Sequence, residues 1–331
     1  MMEPERIPLA NLPTPLVRLD RLSAELGGAQ LWMKRDDLTG LELSGNKVRK
    51  LEYVLADARS QGCDTIVTEG TPQSNHCRAT AAACARLGMQ AVLLFRPAEQ
   101  EPIQGNHLLD VLFGARTRSY SREDFSENRE RIVAEVLAEL KAAGRTPRWT
   151  PMGASEPLGC WGYIRASAEL ADQLVSAGVQ ECDVILPISS AATYAGAALG
   201  VRLHRLEHWR LWAVPVSDDV AHHTAEVGRL CTVTIEQFGL PIDFDPTDLR
   251  FIDGYVGEGY AVPYEAAVEA IRMVARTEAI VLDPVYTGKA FCGLLDGIRK
   301  RRFGVERPVV FVHTGGVFSN FAWPGLLLGK S

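Results

Sequence analysis

Hydrophobic residues alternate along the chain between short apolar runs and longer stretches in which an apolar residue recurs every three or four positions. Val48, Leu51, Val54 and Leu55 illustrate the second pattern, which predicts an amphipathic helix over residues 46–61. The short runs predict buried strands. We predict strands at 30–34, 64–68, 91–95, 115–119, 182–188, 211–216 and 309–313, and helices at 46–61, 75–87, 103–112, 125–143, 163–177, 193–205, 219–238, 263–278 and 288–301.

Strands that alternate with helices of a dozen or so residues indicate parallel sheets built from βαβ units. The chain has 331 residues, a length that suggests two domains at roughly 150 residues each. Neither a fixed-period repeat nor a low-complexity linker interrupts it. The pattern therefore predicts an α/β protein with more than one parallel sheet.

Charge and composition argue against nucleic-acid and membrane partners. The formal charge of −6 argues against nucleic acid, which a basic surface would bind. No segment reaches the ~18 consecutive apolar residues of a membrane span, and the N-terminus carries no export signal. The seven cysteines form no CxxC pair and suggest no disulfide framework. We expect a cytoplasmic protein without nucleic-acid or membrane partners.

Lys47 lies in the first turn of a predicted helix, directly after Ser44-Gly45-Asn46. The helix dipole places partial positive charge at this end, which disfavours a charged lysine. The same dipole favours a neutral amine or an amine bonded covalently to an aldehyde. On this segment alone, a solvated surface lysine remains the alternative.

Polar and small residues follow two of the predicted strands. Residues 73–78 lead into a helix whose free N–H groups suit a carboxylate, although Ser74 or Asn75 could simply cap that helix. The turn Ser189-Ser190-Ala191-Ala192-Thr193 suits a phosphate in the same way. Many strand–helix turns are rich in Ser and Ala, so this second pattern is weak by itself.

Two further segments complete the set of candidate site residues. His313-Thr314-Gly315-Gly316 follows the last strand, and its glycines would let a flat ring approach the backbone. Tyr260 and Tyr286 lie in glycine-containing segments before it. Half-buried core positions are the ordinary alternative for both tyrosines.

Taken together, these segments resemble one family. Gly-Asn-Lys-x-Arg-Lys-Leu-Glu (45–52), Gln-Ser-Asn-His-x-Arg (73–78), Asp-Pro-Val-Tyr-Thr-Gly-Lys (283–289) and His-Thr-Gly-Gly (313–316) are similar to motifs of the D-cysteine desulfhydrase and 1-aminocyclopropane-1-carboxylate (ACC) deaminase family. The resemblance extends over residues 12–316. Several ordered motifs at the family's spacing make it highly specific.

The resemblance implies the fold of the tryptophan synthase β subunit: two doubly wound parallel-sheet domains with pyridoxal phosphate (PLP) between them. It implies a large domain formed by residues 1–48 and 155–331 and a small domain formed by residues 49–154. It also implies a homodimer.

The resemblance also assigns roles within the site. Lys47 would form the Schiff base with PLP and then act as general base, Asn75 would bond the phenolic oxygen, and Thr314 would face the ring nitrogen. The phosphate would be held by Ser189, Ser190, Ala191, Ala192 and Thr193. The residues expected to contact substrate are Ser74, Asn75, His76, Trp161 and Tyr286, and those expected in catalysis are Lys47, Ser74, Tyr260 and Tyr286.

The expected reaction is α,β-elimination from a cysteine-like amino acid to a 2-oxo acid, ammonia and a sulfur leaving group. Thr287 favours this reaction, because ACC deaminases tend to carry Glu at that position. ACC deamination, or elimination from another unusual amino acid, is the alternative. A catalytically idle PLP-binding protein is a third reading, but it would not need the acid–base residues. Lys289 is the rival Schiff-base lysine.

Two departures from the family pattern bear on the site. Its phosphate turn is typically Gly-Ser-Gly-Gly-Thr, and alanine in place of glycine costs about 1 kcal/mol or more wherever φ is positive. Trp161 stands where relatives usually carry small residues. No metal is expected, since His204 and His208 have no carboxylate or cysteine at ligand spacing.

Overall fold

Two separate β-sheets organise the chain. The computed structural model describes residues 3–96, 102–304 and 306–329. The strands are β1 (Leu16–Arg18), β2 (Leu31–Lys34), β3 (Thr65–Gly70), β4 (Gln90–Phe95), β5 (Arg116–Ser119), β6 (Pro147–Trp149), β7 (Cys182–Ile188), β8 (Trp209–Pro215), β9 (Arg250–Phe251) and β10 (Val309–Val312).

Helices connect and cover these strands. They are α1 (Asp20–Glu25), α2 (Asn46–Ser60), α3 (Asn75–Leu87), α4 (Gly105–Leu112), α5 (Arg122–Ala142), α6 (Pro157–Ser176), α7 (Ala192–Leu203), α8 (Val220–Phe238), α9 (Glu265–Glu278), α10 (Thr287–Arg299) and α11 (Pro324–Leu328). No helix within the described ranges is both long and apolar enough to cross a membrane.

The larger sheet has six strands in the order β1-β2-β10-β7-β8-β9. Both of its faces are buried: along β10, Val310 and Val312 contact one hydrophobic core, while Val309 and Phe311 contact another. A strand covered on both sides needs an uninterrupted apolar run, as the sequence shows there. Helices α6, α7 and α8 pack on the first face, and α1, α9 and α10 pack on the second.

The smaller sheet has four parallel strands in the order β5-β4-β3-β6. Ile66 and Leu93 face the core formed with α2 and α3, whereas Val67 and Leu94 face α5. The strands of this sheet all fall within the predicted small domain, residues 49–154. The exact domain boundaries stay a prediction.

The predicted α/β class with two parallel sheets is confirmed, with two corrections of detail. Strand β1 pairs antiparallel with β2, so the larger sheet is mixed at this edge. Helix α6 begins at Pro157, not at residue 163. Proline suits the first turn of a helix, but the glycines that follow it weaken the helical pattern in the sequence.

Gly162 explains why α6 carries glycine despite that low propensity. A Cβ at this position would lie 2.6 Å from the carbonyl carbon of Arg49 on α2. Only glycine therefore allows α6 to approach the backbone of α2 so closely. This contact fixes α2, whose first turn carries Lys47, against the helices of the larger sheet.

Candidate active site

A cavity lies where the first turns of α2, α3 and α7 meet the carboxyl ends of β7 and β10. Ligands of α/β proteins commonly bind at this end of the strands. Its lining residues are Asn46, Lys47, Asn75, Pro187, Ser189, Ser190, Thr193, Tyr286 and Thr314. The structure thus brings together seven of the residues predicted from the motifs, among them the lysine, the amide, the hydroxyl turn and Thr314.

Lys47 is the cationic group of this cavity, and its Nζ donates to Ser190 Oγ at 3.2 Å. Burial disfavours the charged ammonium and lowers the pKa of Lys47 to about 8. No carboxylate pairs with it among the described residues. A substantial fraction of this amine is therefore neutral near pH 8, as a nucleophile or general base requires.

Lys50 is a second buried lysine that the motif reasoning missed. Its Nζ donates to the carbonyl oxygen of Gly153 at 3.1 Å. Burial, with the neighbouring charge of Lys47, lowers its pKa well below the ordinary value. The signal in the sequence was the i, i+3 spacing, which places both lysines on one face of α2.

Gly153 leaves open space beside these lysines. It has a φ of +72°, and an added Cβ would lie 2.3 Å from Ser190 Oγ and 3.5 Å from Lys47 Nζ. Any other residue would be strained and would occupy the space next to the amine. The cavity around Lys47 therefore depends on glycine at this position.

The turn at residues 189–193 presents the N-terminus of α7 to the cavity. Its N-cap residue, Ala191, has no capping side chain, and the first N–H groups of the helix have no intrahelical partner. The N–H of Ala192 donates to Ser155 Oγ at 3.4 Å. Asn46 Nδ2 donates to Thr193 Oγ1 at 2.9 Å and fixes that hydroxyl. Such a helix start suits a phosphate.

The two alanines of this turn carry no backbone strain. Ala191 has φ −66° and ψ −35°, and Ala192 is the first helical residue. None of residues 189–193, all of which the structure describes, has a positive φ. The glycine-to-alanine departures therefore leave the backbone donors in place without the conformational cost that was considered above.

Asn75 is oriented by a hydrogen-bond chain behind it. Arg78 Nε donates to Asn106 Oδ1 at 3.2 Å, so the amide nitrogen of Asn106 is the atom that donates to Asn75 Oδ1 at 3.0 Å. The remaining group of Asn75, its Nδ2 donor, is left for the cavity that this residue lines. Asn75 can therefore donate to an anionic oxygen there.

Tyr260 and Tyr286 meet at their hydroxyl groups, whose oxygens are 2.5 Å apart. Their rings are edge to face, with centroids 5.9 Å apart. Burial raises the pKa of both hydroxyls, so both stay protonated at neutral pH. One proton lies between the two oxygens, and the other can be donated elsewhere.

Asp283 holds Tyr286 and its neighbours at the start of α10. Its buried carboxylate accepts from the backbone N–H of Val285, Tyr286 and Thr287 at 2.7–3.0 Å. The Thr287 hydroxyl donates to the same carboxylate at 2.7 Å. Thr287 is therefore engaged with Asp283, and its contribution to the site is to position Tyr286.

The side chains of Ser74 and His76, at the start of α3, make contacts with nearby residues of α3 and β3. Ser74 Oγ caps α3 by accepting from Cys77 N at 3.2 Å, which is the capping role weighed above. Thr68 donates to the Thr150 carbonyl, so His76 Nε2 is the donor in its 2.9 Å contact with Thr68 Oγ1. Burial lowers the pKa of His76 well below its usual range. The neutral imidazole is not among the side chains that line the cavity.

Two side chains considered from the sequence lie away from the cavity. Trp161 packs in the core of the larger sheet, edge to face with Phe238 at 5.5 Å, and is not among the residues that line this cavity. Its expected contact with substrate stays a prediction. Lys289, the rival Schiff-base lysine, donates to the carbonyls of Val256 and Gly259. Packing against Phe238 holds the side chain of Trp161 in the core, and hydrogen bonds to two carbonyl oxygens hold the ammonium of Lys289 away from the cavity.

The donors around this cavity fit pyridoxal phosphate. Lys47 offers a partly neutral amine to an aldehyde, and the start of α7 offers N–H groups to a phosphate. Asn75 offers an amide N–H, and Thr314 offers a hydroxyl in place of a carboxylate. The gap kept open by Gly153 lies next to the amine.

Comparison with known proteins gives the family. The model of the family "Pyridoxal-phosphate dependent enzyme" matches residues 7–315. This chain belongs to that family, and the predicted cofactor is thereby confirmed. The chain is 38% identical over 323 residues to the D-cysteine desulfhydrase of Salmonella choleraesuis (strain SC-B67), and the match covers 96% of each chain.

Solved structures agree with this assignment. A crystal structure of an ACC deaminase homologue matches with a TM-score of 0.89 and 37% identity, over 99% of this chain and 96% of the other. O-ureido-L-serine synthase matches with a TM-score of 0.66 and 18% identity, over 94% and 92% of the two chains, and shows the shared fold alone. The resemblance inferred from the motifs is confirmed.

Proposed function

We propose that this protein is a pyridoxal-phosphate-dependent lyase that eliminates sulfide from D-cysteine. With one water, the products are a 2-oxo acid, ammonia and sulfide. The observation that carries the proposal is the buried amine of Lys47, which no carboxylate of the described residues pairs with, in a cavity that Tyr286 also lines. The 38% identity to D-cysteine desulfhydrases over nearly the full chain favours this substrate.

Lys47 would act as the base. When bound, pyridoxal phosphate supplies an electron-poor ring that spreads the negative charge left on the α carbon of the substrate. Lys47 Nζ, neutral above about pH 8, can accept the α proton. The 3.2 Å contact with Ser190 Oγ orients this nitrogen. The neighbouring Lys50 works against this effect through a side-chain hydrogen bond, but burial outweighs it and the pKa of Lys47 still falls to about 8.

The tyrosine pair would stabilise the leaving sulfur. The 2.5 Å contact uses one hydroxyl proton between Tyr260 and Tyr286, and the pair has a second proton for another acceptor. Because burial raises the pKa of both groups, both hydroxyls stay protonated. A hydrogen bond from this second proton to the departing thiolate would stabilise its developing negative charge and help the carbon–sulfur bond to break.

The remaining residues would bind and orient. We assign the cofactor phosphate to residues 189–193, its phenolic oxygen to Asn75 and its ring nitrogen to Thr314. Ser74 keeps its own hydroxyl proton while it caps α3, so it can donate to a substrate carboxylate. His76 would contribute through its backbone N–H in the first turn of α3, since its imidazole is bonded to Thr68.

ACC deamination is the second candidate, favoured by the close structural match to an ACC deaminase homologue. One assay separates the two. The PLP-loaded protein is incubated separately with D-cysteine, L-cysteine, L-cysteate and ACC, and sulfide, 2-oxo acid and ammonia are measured. We expect equal amounts of the three products from D-cysteine. Ammonia and 2-oxo acid from ACC alone would support the second candidate, and turnover of none would contradict both.

We also propose that the protein is a homodimer whose interface includes α4. This helix buries polar residues and exposes apolar ones. Asn106 and Asp110 are buried, while Leu108, Val111 and Leu112 are exposed. Phe321 is exposed as well, in a segment that contacts α4. A two-fold axis would place the same apolar stripe of a second copy against this one.

The substitution Leu112→Glu tests this interface. Leu112 is 68% exposed, so the change should leave the monomer folded but place charges in the interface. We expect light scattering after size exclusion to show a dimer for the wild type and a monomer for Leu112→Glu. Val175→Glu is the matched control, because Val175 is 77% exposed on α6 and should leave the dimer intact. A monomeric wild type would contradict the proposal.

The proposed location is the cytoplasm. The seven cysteines lie within the described residues and are all free thiols, five of them buried. A reducing compartment keeps thiols in this state. Fractionation of cells that express the full chain, with detection in the cytosolic fraction, tests the location.

A further inference from the structure

Lys289 is a buried cation for which the proposed chemistry has no use. It lies on α10, and its side chain is fully buried. Its Nζ donates to the carbonyl oxygens of Val256 at 2.6 Å and Gly259 at 2.8 Å, and lies 5.7 Å from the ring centroid of Tyr264. All of these partners belong to one short segment of the chain.

That segment, residues 256–264, carries Tyr260 directly after Gly259. It contains no strand or helix that would hold its backbone, and Ala261 has a positive φ of 59°. Non-glycine residues rarely adopt this conformation without support from their surroundings. The segment therefore depends on side-chain contacts, and the bonds from Lys289 reach it four residues before Tyr260, at Val256, and directly before it, at Gly259.

The backbone of Lys289 lies in the first turn of α10, close to Tyr286. Tyr286 precedes α10, and Lys289 follows it by one helical turn on the same helix. Tyr286 is fixed in turn by Asp283 through its backbone N–H. Lys289 thus links the rigid start of α10 to the irregular segment, across the 2.5 Å contact between the two tyrosine hydroxyls.

We propose that Lys289 is a positioning residue that holds Tyr260 against Tyr286. The inference rests on the proposed function for its catalytic consequence, but its structural part does not. Without the ammonium, the carbonyls of Val256 and Gly259 lose a charged donor. The contact of Tyr264 with Cys292 of α10 remains, but it lies four residues beyond Tyr260 and does not hold the backbone before it. Tyr260 would then lose its fixed distance from Tyr286, while the amine of Lys47 would be unaffected.

Hydrogen–deuterium exchange tests the structural part without any substrate. In PLP-loaded Lys289→Met, we expect the amides of residues 256–262 to exchange roughly tenfold faster than in the wild type, since hydrogen bonds from a charged donor are lost. The visible absorbance of bound PLP should remain. Lys141→Met, a change at an exposed lysine on α5, is the matched control and should change neither. Unchanged exchange in this segment would overturn the proposal.

A double-mutant cycle tests the catalytic part. We expect kcat for the productive substrate to fall roughly tenfold in Lys289→Met with a smaller change in KM, and no further fall when Tyr260→Phe is already present. Additive effects would overturn the link to Tyr260. If Lys289→Met does not fold, Lys289→Gln retains a neutral donor and should give intermediate exchange. Absence of any turnover would refute the proposed function, while the exchange data would still decide the role of Lys289.

Discussion

Replacement of Lys47 by alanine is expected to abolish the covalent attachment of PLP and to lower turnover by roughly 10³-fold or more, because one side chain supplies both the amine and the base. Absorption spectroscopy after addition of PLP, followed by the sulfide assay, measures both effects. Lys289→Met is the informative control, since it removes the rival buried lysine and should keep PLP attached. Attachment that survives in Lys47→Ala would refute the assignment of this residue.

The wild-type protein adds a pH dependence to the same experiment. Only the neutral amine can bond to the aldehyde, and burial lowers the pKa of Lys47 from 10.5 to about 8. Since a lowered pKa makes the amine neutral at lower pH, the attachment rate should rise with pH and level off above about 8. A rate that continued to rise toward 10.5 would show an amine with an ordinary pKa.

Arg49→Met is expected to destabilise the fold by about 3–5 kcal/mol, the usual cost of leaving a buried charge without its partner. Arg49 donates to both oxygens of Asp36 at 2.9 and 2.8 Å and to Glu169 at 3.0 and 2.8 Å. Asp36 is fully buried and also accepts from Tyr163. Burial is the largest single influence on the pKa of Asp36 and would raise it. The charge and hydrogen bonds of Arg49, with smaller contributions from Lys34 and Tyr163, together outweigh burial and lower the pKa. Methionine would leave that buried carboxyl group without its guanidinium partner.

Urea denaturation monitored by circular dichroism measures this loss. Arg131→Met removes an exposed i, i+4 pair with Glu135 and should leave the midpoint unchanged, which makes it the matched control. The double variant Arg49→Met with Asp36→Leu should be more stable than Arg49→Met alone, because no unpaired carboxylate remains at that position. Equal midpoints for Arg49→Met and the control would contradict the expectation.

Local signals explain which elements were predictable. Helix α3 has the predicted bounds because Ser74 caps its start and Gly88, with φ 69°, ends it in the left-handed conformation. Strands β1 and β9 contain only three and two residues, too few for an alternating or apolar run. The period of α4 predicted a helix but not which face is exposed. Tertiary contacts decide that, and periodicity does not report them.

The same distinction applies to the site. Lys47, Asn75 and Thr314 stand at starts of helices or ends of strands, where local chain geometry already aims a side chain at the cavity. The side chains of His76 and Trp161 depend on what packs beside them, Thr68 and Phe238, and no local pattern reports such partners. Lys50 was not predicted because its burial depends on Gly153, which lies far from α2 in the sequence.

The position of β10 in the larger sheet sets an order for assembly during synthesis. This strand, near the C-terminal end of the described chain, inserts between β2 and β7 and pairs in parallel with both. Until it emerges from the ribosome, the strands that lead to Asp36 and to the Ser189 turn have no common neighbour. A nascent chain shorter than about 310 residues thus has no complete cofactor site, and pairing across so long a sequence separation is slow. Cofactor capture must therefore follow the emergence of Thr314, which comes directly after β10 and lines the cavity.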